Sequence, residues 1–316
     1  MNQLLNSFPA RLLCGLSLSL VAWQSVGAQE RTDVLVSADW LADNLGNEDL
    51  LVVDLAHREK NYNEGHIPGA VFVDWRKDII DSNRPEMYLM PTADQFGYLM
   101  SRLGATPETV FVLTDSLDSR ASVRMYLTLR YFGHDRVHVL NGGTGAWTAA
   151  GYDVSAEDPP LRSLSGYEVG EIRTEYLTSF QAVRESVEQG THLIMDGRPA
   201  GQYTGADPGK VFHTGKAHQR RGHIASAINV PWTWNFNEDG TFKSPDELRE
   251  LYADNGVGDE TEVVTYCNEG LHATMPWFVL HELLGHTNVQ VYEHSLGEWA
   301  NRDDTNMTCP DSGSDE

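Results

Sequence analysis

The fold of this chain is indicated first by the stretch VVTYCNEGLHA at residues 263–273. The run from Val263 to Tyr266 predicts a buried strand, and Cys267 follows directly at its carboxyl end. A helical pattern begins after Ala273. Open α/β sheets place their ligand sites at the carboxyl ends of strands. We therefore expect Cys267 to be a nucleophile, with loop N–H groups and the helix dipole favouring its thiolate, rather than a packed structural cysteine.

The same pattern occurs a second time, earlier in the chain. Another apolar strand ends at Asp115, and it is followed by a helical stretch, a Gly-His pair, a further strand and a tryptophan. A repeat of this length is a duplicated domain, because solenoid units recur every 20–50 residues or so. The separation is 152 residues for each of three matched pairs, which are Asp115 and Cys267, His134 and His286, and Trp147 and Trp299.

Each copy also contains an upstream apolar strand that ends in an aspartate, at Asp54 and at Asp196. Apolar strands that alternate with helical stretches, such as 122–131 and 245–255, predict α/β domains with a parallel sheet flanked by helices. The predicted organisation is a first domain at 32–155, a linker at 156–169, a second domain at 170–304 and a polar tail at 305–316.

Residues 1–28 are predicted to be a secretory signal peptide. Arg11 precedes an apolar stretch at 12–21, and Val26-Gly27-Ala28 offers the small residues that a signal peptidase needs. That stretch is shorter than a membrane span, and no later segment approaches one. We therefore expect a soluble periplasmic or secreted protein that has no membrane association after cleavage.

The charge balance excludes several kinds of partner. The chain has 23 Lys and Arg against 46 Asp and Glu, a formal net charge of −23, which argues against nucleic acid and anionic membranes as partners.

The number of cysteines is small. Beyond the signal segment only Cys267 and Cys309 remain, too few for a disulfide framework. A bond between these two cysteines stays open, with an unpaired Cys267 preferred.

Several motifs in a fixed order resemble the tandem rhodanese family, the thiosulfate and 3-mercaptopyruvate sulfurtransferases. The resemblance covers nearly all of the predicted mature chain. It is carried by GHIPGA at 65–70, GH at 133–134 with LNGG at 140–143, DGTFKS at 239–244, the loop at 267–273, and the segment from Tyr292 to Trp299.

This resemblance implies two rhodanese-type domains, of which only the second is catalytic. Asp115 cannot accept sulfur, so the first domain is expected to be silent and to form a wall of the site. Cys267 would take the outer sulfur of a small donor as a persulfide and pass it to a thiol or cyanide, without metal or organic cofactor. His66 and Arg221 are candidates for the cleft. The loop residues expected to bind substrate and stabilise its charge are Asn268, Glu269, Gly270, Leu271, His272 and Ala273.

The loop departs from both substrate types of the family. Thiosulfate-using members tend to have basic residues after the cysteine and mercaptopyruvate-using members small and hydroxyl residues, whereas this chain has Asn268 and Glu269. Gln202 stands where the family often has a substrate-holding arginine. Repulsion between an acidic side chain and a dianionic donor costs about 3 kcal/mol per charge pair at about 5 Å, so we expect thiosulfate to be a poor donor.

Positive charge could instead come from one of five other side chains. His272 would pair with the Cys267 thiolate in one interpretation and point to solvent in the other. The candidates are Arg220, Arg221, Lys210, Lys216 and His272.

Three alternative functions remain to be compared with sulfur transfer. A Cys-loop phosphatase needs an arginine where this chain has Ala273, so that alternative is poor. A non-catalytic module that carries persulfide or binds a partner is compatible with the altered loop. A redox protein that uses Cys267 with Cys309 is the third. The histidines show no strong metal-binding spacing.

Overall fold

The computed structural model describes residues 34–84, 88–116, 118–160, 162–211 and 214–310. The predicted signal peptide at residues 1–28 lies outside these residues. Within the described ranges, no helix is both long enough and apolar enough to cross a membrane.

Five parallel strands form the sheet of the N-terminal domain. In spatial order they are β1 (Leu35–Val36), β5 (Val137–Leu140), β4 (Val110–Thr114), β2 (Leu50–Asp54) and β3 (Val71–Phe72). The central strands are buried, which explains why they are continuous apolar runs rather than alternating ones. The helices are α1 (Ala38–Asn44), α2 (Glu59–Glu64), α3 (Ala93–Arg102), α4 (Arg120–Tyr131) and α5 (Gly143–Ala149).

The C-terminal domain repeats this plan with a four-stranded parallel sheet. Its order is β10 (Val289–Val291), β9 (Val263–Tyr266), β6 (Leu193–Asp196) and β8 (Ile228–Asn229). A separate antiparallel pair joins β7 (His223–Ile224) to β11 (Met307–Thr308). The helices are α6 (Phe180–Gln189), α7 (Ala200–Thr204), α8 (Pro245–Asp254), α9 (Thr274–Trp277) with a π-helical continuation over Phe278–Leu283, and α10 (Ser295–Trp299).

The predicted fold class is confirmed, because both domains are parallel sheets flanked by helices. Strands β4 and β9 hold equivalent places, each between two parallel neighbours, and Asp115 and Cys267 follow them directly. The helices expected at 122–131 and 245–255 are α4 and α8.

The prediction of a polar tail from residue 305 was wrong at its start. Residues 307–308 form β11, and Met307 packs against the apolar cluster of the second domain. Arg220 donates hydrogen bonds to the backbone oxygens of Ala300 and Thr305, which fixes the approach to this strand. Because this segment is polar in composition, its main-chain pairing with β7 could not be recognised from an apolar pattern.

Helix α4 forms the main contact between the domains. Its residues 121–129 are all buried, because the helix lies between its own sheet and the second domain. Tyr126 packs edge-on against Phe278, with 4.9 Å between ring centroids, and its hydroxyl donates to Glu282 Oε2 at 2.8 Å. Buried apolar residues of both domains form one contiguous cluster, so the domains share a core here.

Contacts across this interface join equivalent positions of the two repeats. Each of three contacting pairs is separated by the repeat distance of 152 residues. Residues on a twofold axis meet their own equivalents, so the chain folds as an isologous dimer would, within one polypeptide. The pairs are Arg120 with His272, Tyr126 with Phe278, and Arg130 with Glu282.

Candidate active site

The loop that begins at Cys267 is held by the segment leading into α10. The Cys267 N–H donates to Ser295 Oγ at 3.1 Å, and the Leu296 N–H donates to the Cys267 carbonyl oxygen at 3.1 Å. Gly270 has a φ of 88°, and a Cβ there would lie 2.7 Å from the carbonyl oxygen of Glu293. Only glycine fits this bend, which turns the loop back over the sulfur.

Backbone N–H groups converge on the sulfur of Cys267, as the loop predicted. The Gly270 N–H donates to Sγ at 3.1 Å, and the N–H groups of Glu269 and Ala273 also lower the pKa of the thiol. Burial has the larger effect and raises that pKa above its usual value, and the charge of Glu269 raises it further. The expectation that the loop favours the thiolate was therefore wrong, because desolvation of the sulfur outweighs the amide hydrogen bonds.

Cys267 forms part of the wall of a cavity of about 270 Å³ between the two domains. Since a water molecule takes about 30 Å³ of liquid, this is the volume of about nine waters, which suits a small molecule. The first domain contributes His57, Trp75 and Arg120 to the lining, and the second contributes Gln202, Lys210, Cys267, Asn268, Glu269, Leu271 and His272.

His272 contacts Arg120 of the other domain. Its Nε2 lies 3.1 Å from Arg120 Nη1, and its ring stacks on Trp232 with 5.4 Å between centroids. Burial, followed by the charges of Arg120 and Arg198, lowers the pKa of His272 to about 3. The imidazole is therefore neutral at physiological pH. Because arginine can only donate, Nε2 accepts the hydrogen bond and the ring proton is on Nδ1.

The interpretation of His272 as an imidazolium partner for the Cys267 thiolate was wrong. A neutral ring supplies no positive charge to the sulfur, and its Nε2 is engaged by Arg120. The alternative of a ring turned to solvent was also wrong, since the ring is stacked on Trp232 within the cavity wall.

The two departures from the family pattern contact each other. Asn268 Nδ2 donates to Gln202 Oε1 at 2.9 Å, and Asn268 Oδ1 lies 3.0 Å from Nε2 of the buried His218. Burial lowers the pKa of His218, so its neutral ring donates this hydrogen bond. These amides form a fixed, uncharged side of the cavity.

Charge is distributed unevenly in the cavity. Glu269 is 5% exposed and lines the wall beside Cys267. Burial, then the charges of Arg76, Arg58 and Arg120, lowers the pKa of His57, so that ring is neutral. The cationic groups in the lining, among the described residues, are Arg120 and the exposed Lys210.

The equivalent loop of the first domain is occupied by the carboxylate of Asp115. Its Oδ1 accepts from the Ser119 N–H at 3.0 Å, and its Oδ2 accepts from the Ser122 N–H at 2.7 Å. Backbone amides of this loop thus hold a carboxylate, which cannot accept sulfur. This geometry supports the prediction of a silent first domain.

Two residues proposed for the cleft lie elsewhere. His66 is buried, stacks on Tyr62 with 3.8 Å between centroids, and lies within 3.1 Å of the Glu157 carbonyl oxygen. Arg221 is exposed and is not among the described residues that line the cavity. The Cys309 thiol lies at the edge of α7, with Sγ 3.8 Å from the Thr204 carbonyl oxygen.

Sequence reasoning missed the residues that the first domain contributes, above all Arg120. One signal could have found it: Arg120 follows Asp115 at the same spacing as His272 follows Cys267. Equivalent residues beside a pseudo-twofold axis are expected to meet. Among the residues described, no group of three or more His, Cys, Asp or Glu could hold a metal ion.

Comparison with known proteins identifies the family. The model of the rhodanese-like domain matches twice, at residues 37–150 and 179–302. The chain belongs to the rhodanese family, as a tandem member with two such domains. It is a sulfurtransferase, which follows from its identity to relatives of that activity over most of its length.

Two relatives and one solved structure illustrate the similarity. A Mycobacterium bovis protein named "Putative thiosulfate sulfurtransferase 1" is 35% identical over 271 residues, covering 85% of this chain and 95% of the relative. A Haloferax volcanii protein of the same type is 34% identical over 281 residues, covering 85% and 94%. The 3-mercaptopyruvate sulfotransferase SseA from Escherichia coli superposes with a TM-score of 0.72 at 27% identity, covering 84% of this chain and 99% of that one.

Proposed function

We propose that this enzyme transfers sulfur from a small donor of the thiosulfate or 3-mercaptopyruvate type to a thiol or cyanide through a persulfide on Cys267. The observation that carries the proposal is the position of the Cys267 sulfur, in the wall of the interdomain cavity with loop N–H groups directed at it. The same N–H groups would stabilise the negative charge of a persulfide.

Cys267 loses its proton in the first step, because the thiolate is the attacking nucleophile. With 3-mercaptopyruvate, the Cys267 sulfur attacks the donor thiol, the donor C–S bond breaks, and the carbon that leaves with the electron pair takes the cysteine proton to give pyruvate. With thiosulfate, the S–S bond breaks, sulfite leaves with the electron pair, and the proton goes to sulfite or solvent. Cyanide then takes the outer sulfur as thiocyanate and leaves the Cys267 thiolate.

Multiple-turnover assays test this proposal. We expect purified protein to form thiocyanate well beyond one equivalent from 3-mercaptopyruvate or thiosulfate and cyanide. The Cys267→Ser variant should form none, and Cys309→Ser, the matched control, should retain the rate. Formation of a single equivalent would support the persulfide-carrying module instead. Equal loss in both cysteine variants would support redox use of the pair.

We also propose that the enzyme acts in the periplasm or outside the cell. Support comes from the sequence of residues 1–28, with its arginine, apolar stretch and Val-Gly-Ala segment. Mass spectrometry of the protein from fractionated cells should find a mature chain that begins after Ala28. A full-length chain in the cytosolic fraction would contradict export.

A further inference from the structure

We propose that Arg120, from the silent first domain, binds the anionic group of the sulfur donor and so determines which donors are used. This inference rests on the proposed function. Arg120 begins helix α4 and lines the cavity whose opposite domain supplies Cys267. A guanidinium remains charged at physiological pH and matches carboxylate and sulfonate oxygens through paired N–H donors.

The charge distribution of the cavity leaves this task to few side chains. The loop beside Cys267 presents an amide, Asn268, and a carboxylate, Glu269, and Asn268 is bonded to a further amide at Gln202. None of these attracts an anion. Of the two cations that line the described cavity, Lys210 is exposed to solvent, which screens its charge. Arg120 is partly buried, so its charge acts more strongly on a bound anion.

Contacts with His272 and Trp232 help to hold Arg120 in place. His272 Nε2 accepts from its Nη1 at 3.1 Å, and the guanidinium carbon lies 4.5 Å from the centre of the Trp232 ring. The stacked ring fixes the plane of the guanidinium, while the neutral imidazole fixes its direction. His272 is therefore a positioning residue: it belongs to the catalytic loop yet acts on the donor through Arg120. This accounts for a histidine five residues after the nucleophile that does not pair with it.

The positions of Glu269 and Arg120 also separate the negative charge beside the Cys267 sulfur from the positive charge on the wall formed by the first domain. Glu269 disfavours negative charge next to the Cys267 sulfur, whereas Arg120 attracts it from the wall formed by the first domain. A donor whose anionic group is several bonds from the transferred sulfur, such as a mercapto carboxylate, satisfies both residues. In thiosulfate the charged oxygens are one atom away from that sulfur, so the two demands conflict.

Alkylation of Cys267 tests this role without requiring turnover. Iodoacetate and iodoacetamide have nearly the same shape, both form a C–S bond and release iodide, and only iodoacetate is an anion. We expect Arg120→Gln to lower the iodoacetate-to-iodoacetamide rate ratio at Cys267 by about tenfold or more. Arg120→Lys should lower it less. Arg136→Gln, the same change at an exposed arginine of the same domain, should leave the ratio unchanged. The modified peptide is quantified by mass spectrometry, which separates Cys267 from Cys309.

Steady-state kinetics give the second readout. Arg120→Gln should raise KM for 3-mercaptopyruvate by about tenfold or more, with a smaller effect on kcat, and His272→Gln should show a weaker form of the same effect. An unchanged alkylation ratio in Arg120→Gln overturns this inference even if the enzyme transfers sulfur normally. Absence of transfer by the unmodified enzyme, with a ratio that still depends on Arg120, overturns the proposed function but not the anion site.

Discussion

The buried carboxylate of Glu282 should stabilise the contact that brings the two domains together. It accepts from Tyr126 at 2.8 Å, from Arg130 at 3.3 Å and lies 3.0 Å from His281 Nδ1. Burial alone would raise its pKa, but His281 and Arg130 lower it from 4.5 to about 2. We therefore predict that Glu282→Gln lowers the free energy of unfolding at neutral pH.

The magnitude follows from the pKa shift. One pKa unit corresponds to about 1.4 kcal/mol, so a change from the usual value to about 2 corresponds to about 3 kcal/mol. Because the folded-state pKa of this acid is depressed, its contribution is complete above the unfolded pKa and is lost as the pH falls towards the folded one. The deficit of the variant should be about 3 kcal/mol at neutral pH and should shrink between about pH 5 and pH 2.

Urea unfolding followed by circular dichroism measures this deficit as a function of pH. Glu250→Gln is the matched control, since it makes the same change at an exposed position on α8. We expect that control to alter stability by less than about 0.5 kcal/mol. An equal loss of unfolding free energy in the two variants, or a loss that does not change with pH, would refute the claim that the charge of Glu282 stabilises the contact between the domains.

Three further outcomes follow from the titrating groups. The His272 ring should remain neutral down to about pH 4 in an NMR titration, because burial and two arginines lower its pKa to about 3. A titration midpoint near the usual histidine value would refute the buried contact with Arg120. Glu269→Gln should lower the Cys267 thiol pKa, which burial raises and the charge of Glu269 raises further. The pH dependence of iodoacetamide alkylation measures this, and an unchanged profile would contradict it. Asp54→Asn should be more stable than the unmodified protein above about pH 7, because burial and then the charge of Asp115 raise the pKa of Asp54 to about 7. Ionisation of Asp54 in the folded state therefore costs stability. Urea unfolding should show the advantage of the variant at about pH 8 but not at about pH 5, and no advantage at either pH would contradict this prediction.

Most of the architecture could be predicted because it depends on local patterns. Apolar strands that end in a polar residue gave the parallel sheets, and the constant repeat distance gave the two domains. The segment at 305–308 could not be found this way, because its strand is held by main-chain pairing with β7 and by Arg220 rather than by an apolar pattern. Its side chains carry little information about that pairing.

Only the part of the candidate site that is formed by the loop after β9 could be predicted from the sequence. The position of Cys267 and the convergence of amides on its sulfur follow from a strand, a turn and a glycine. The raised thiol pKa does not, because it depends on burial of the sulfur in the folded protein. The placing of His272 against Arg120, like the absence of His66 from the cleft, is a property of tertiary packing that no spacing within one motif reveals.

A persulfide on Cys267 is tested most directly by the mass of the peptide that contains this residue, after brief exposure of the native enzyme to 3-mercaptopyruvate without acceptor. We expect a gain of one sulfur atom on Cys267, which disappears when cyanide is added and appears as an equal amount of thiocyanate. An unmodified Cys267 peptide under conditions in which the enzyme releases pyruvate, or sulfur found on Cys309 instead, would contradict it.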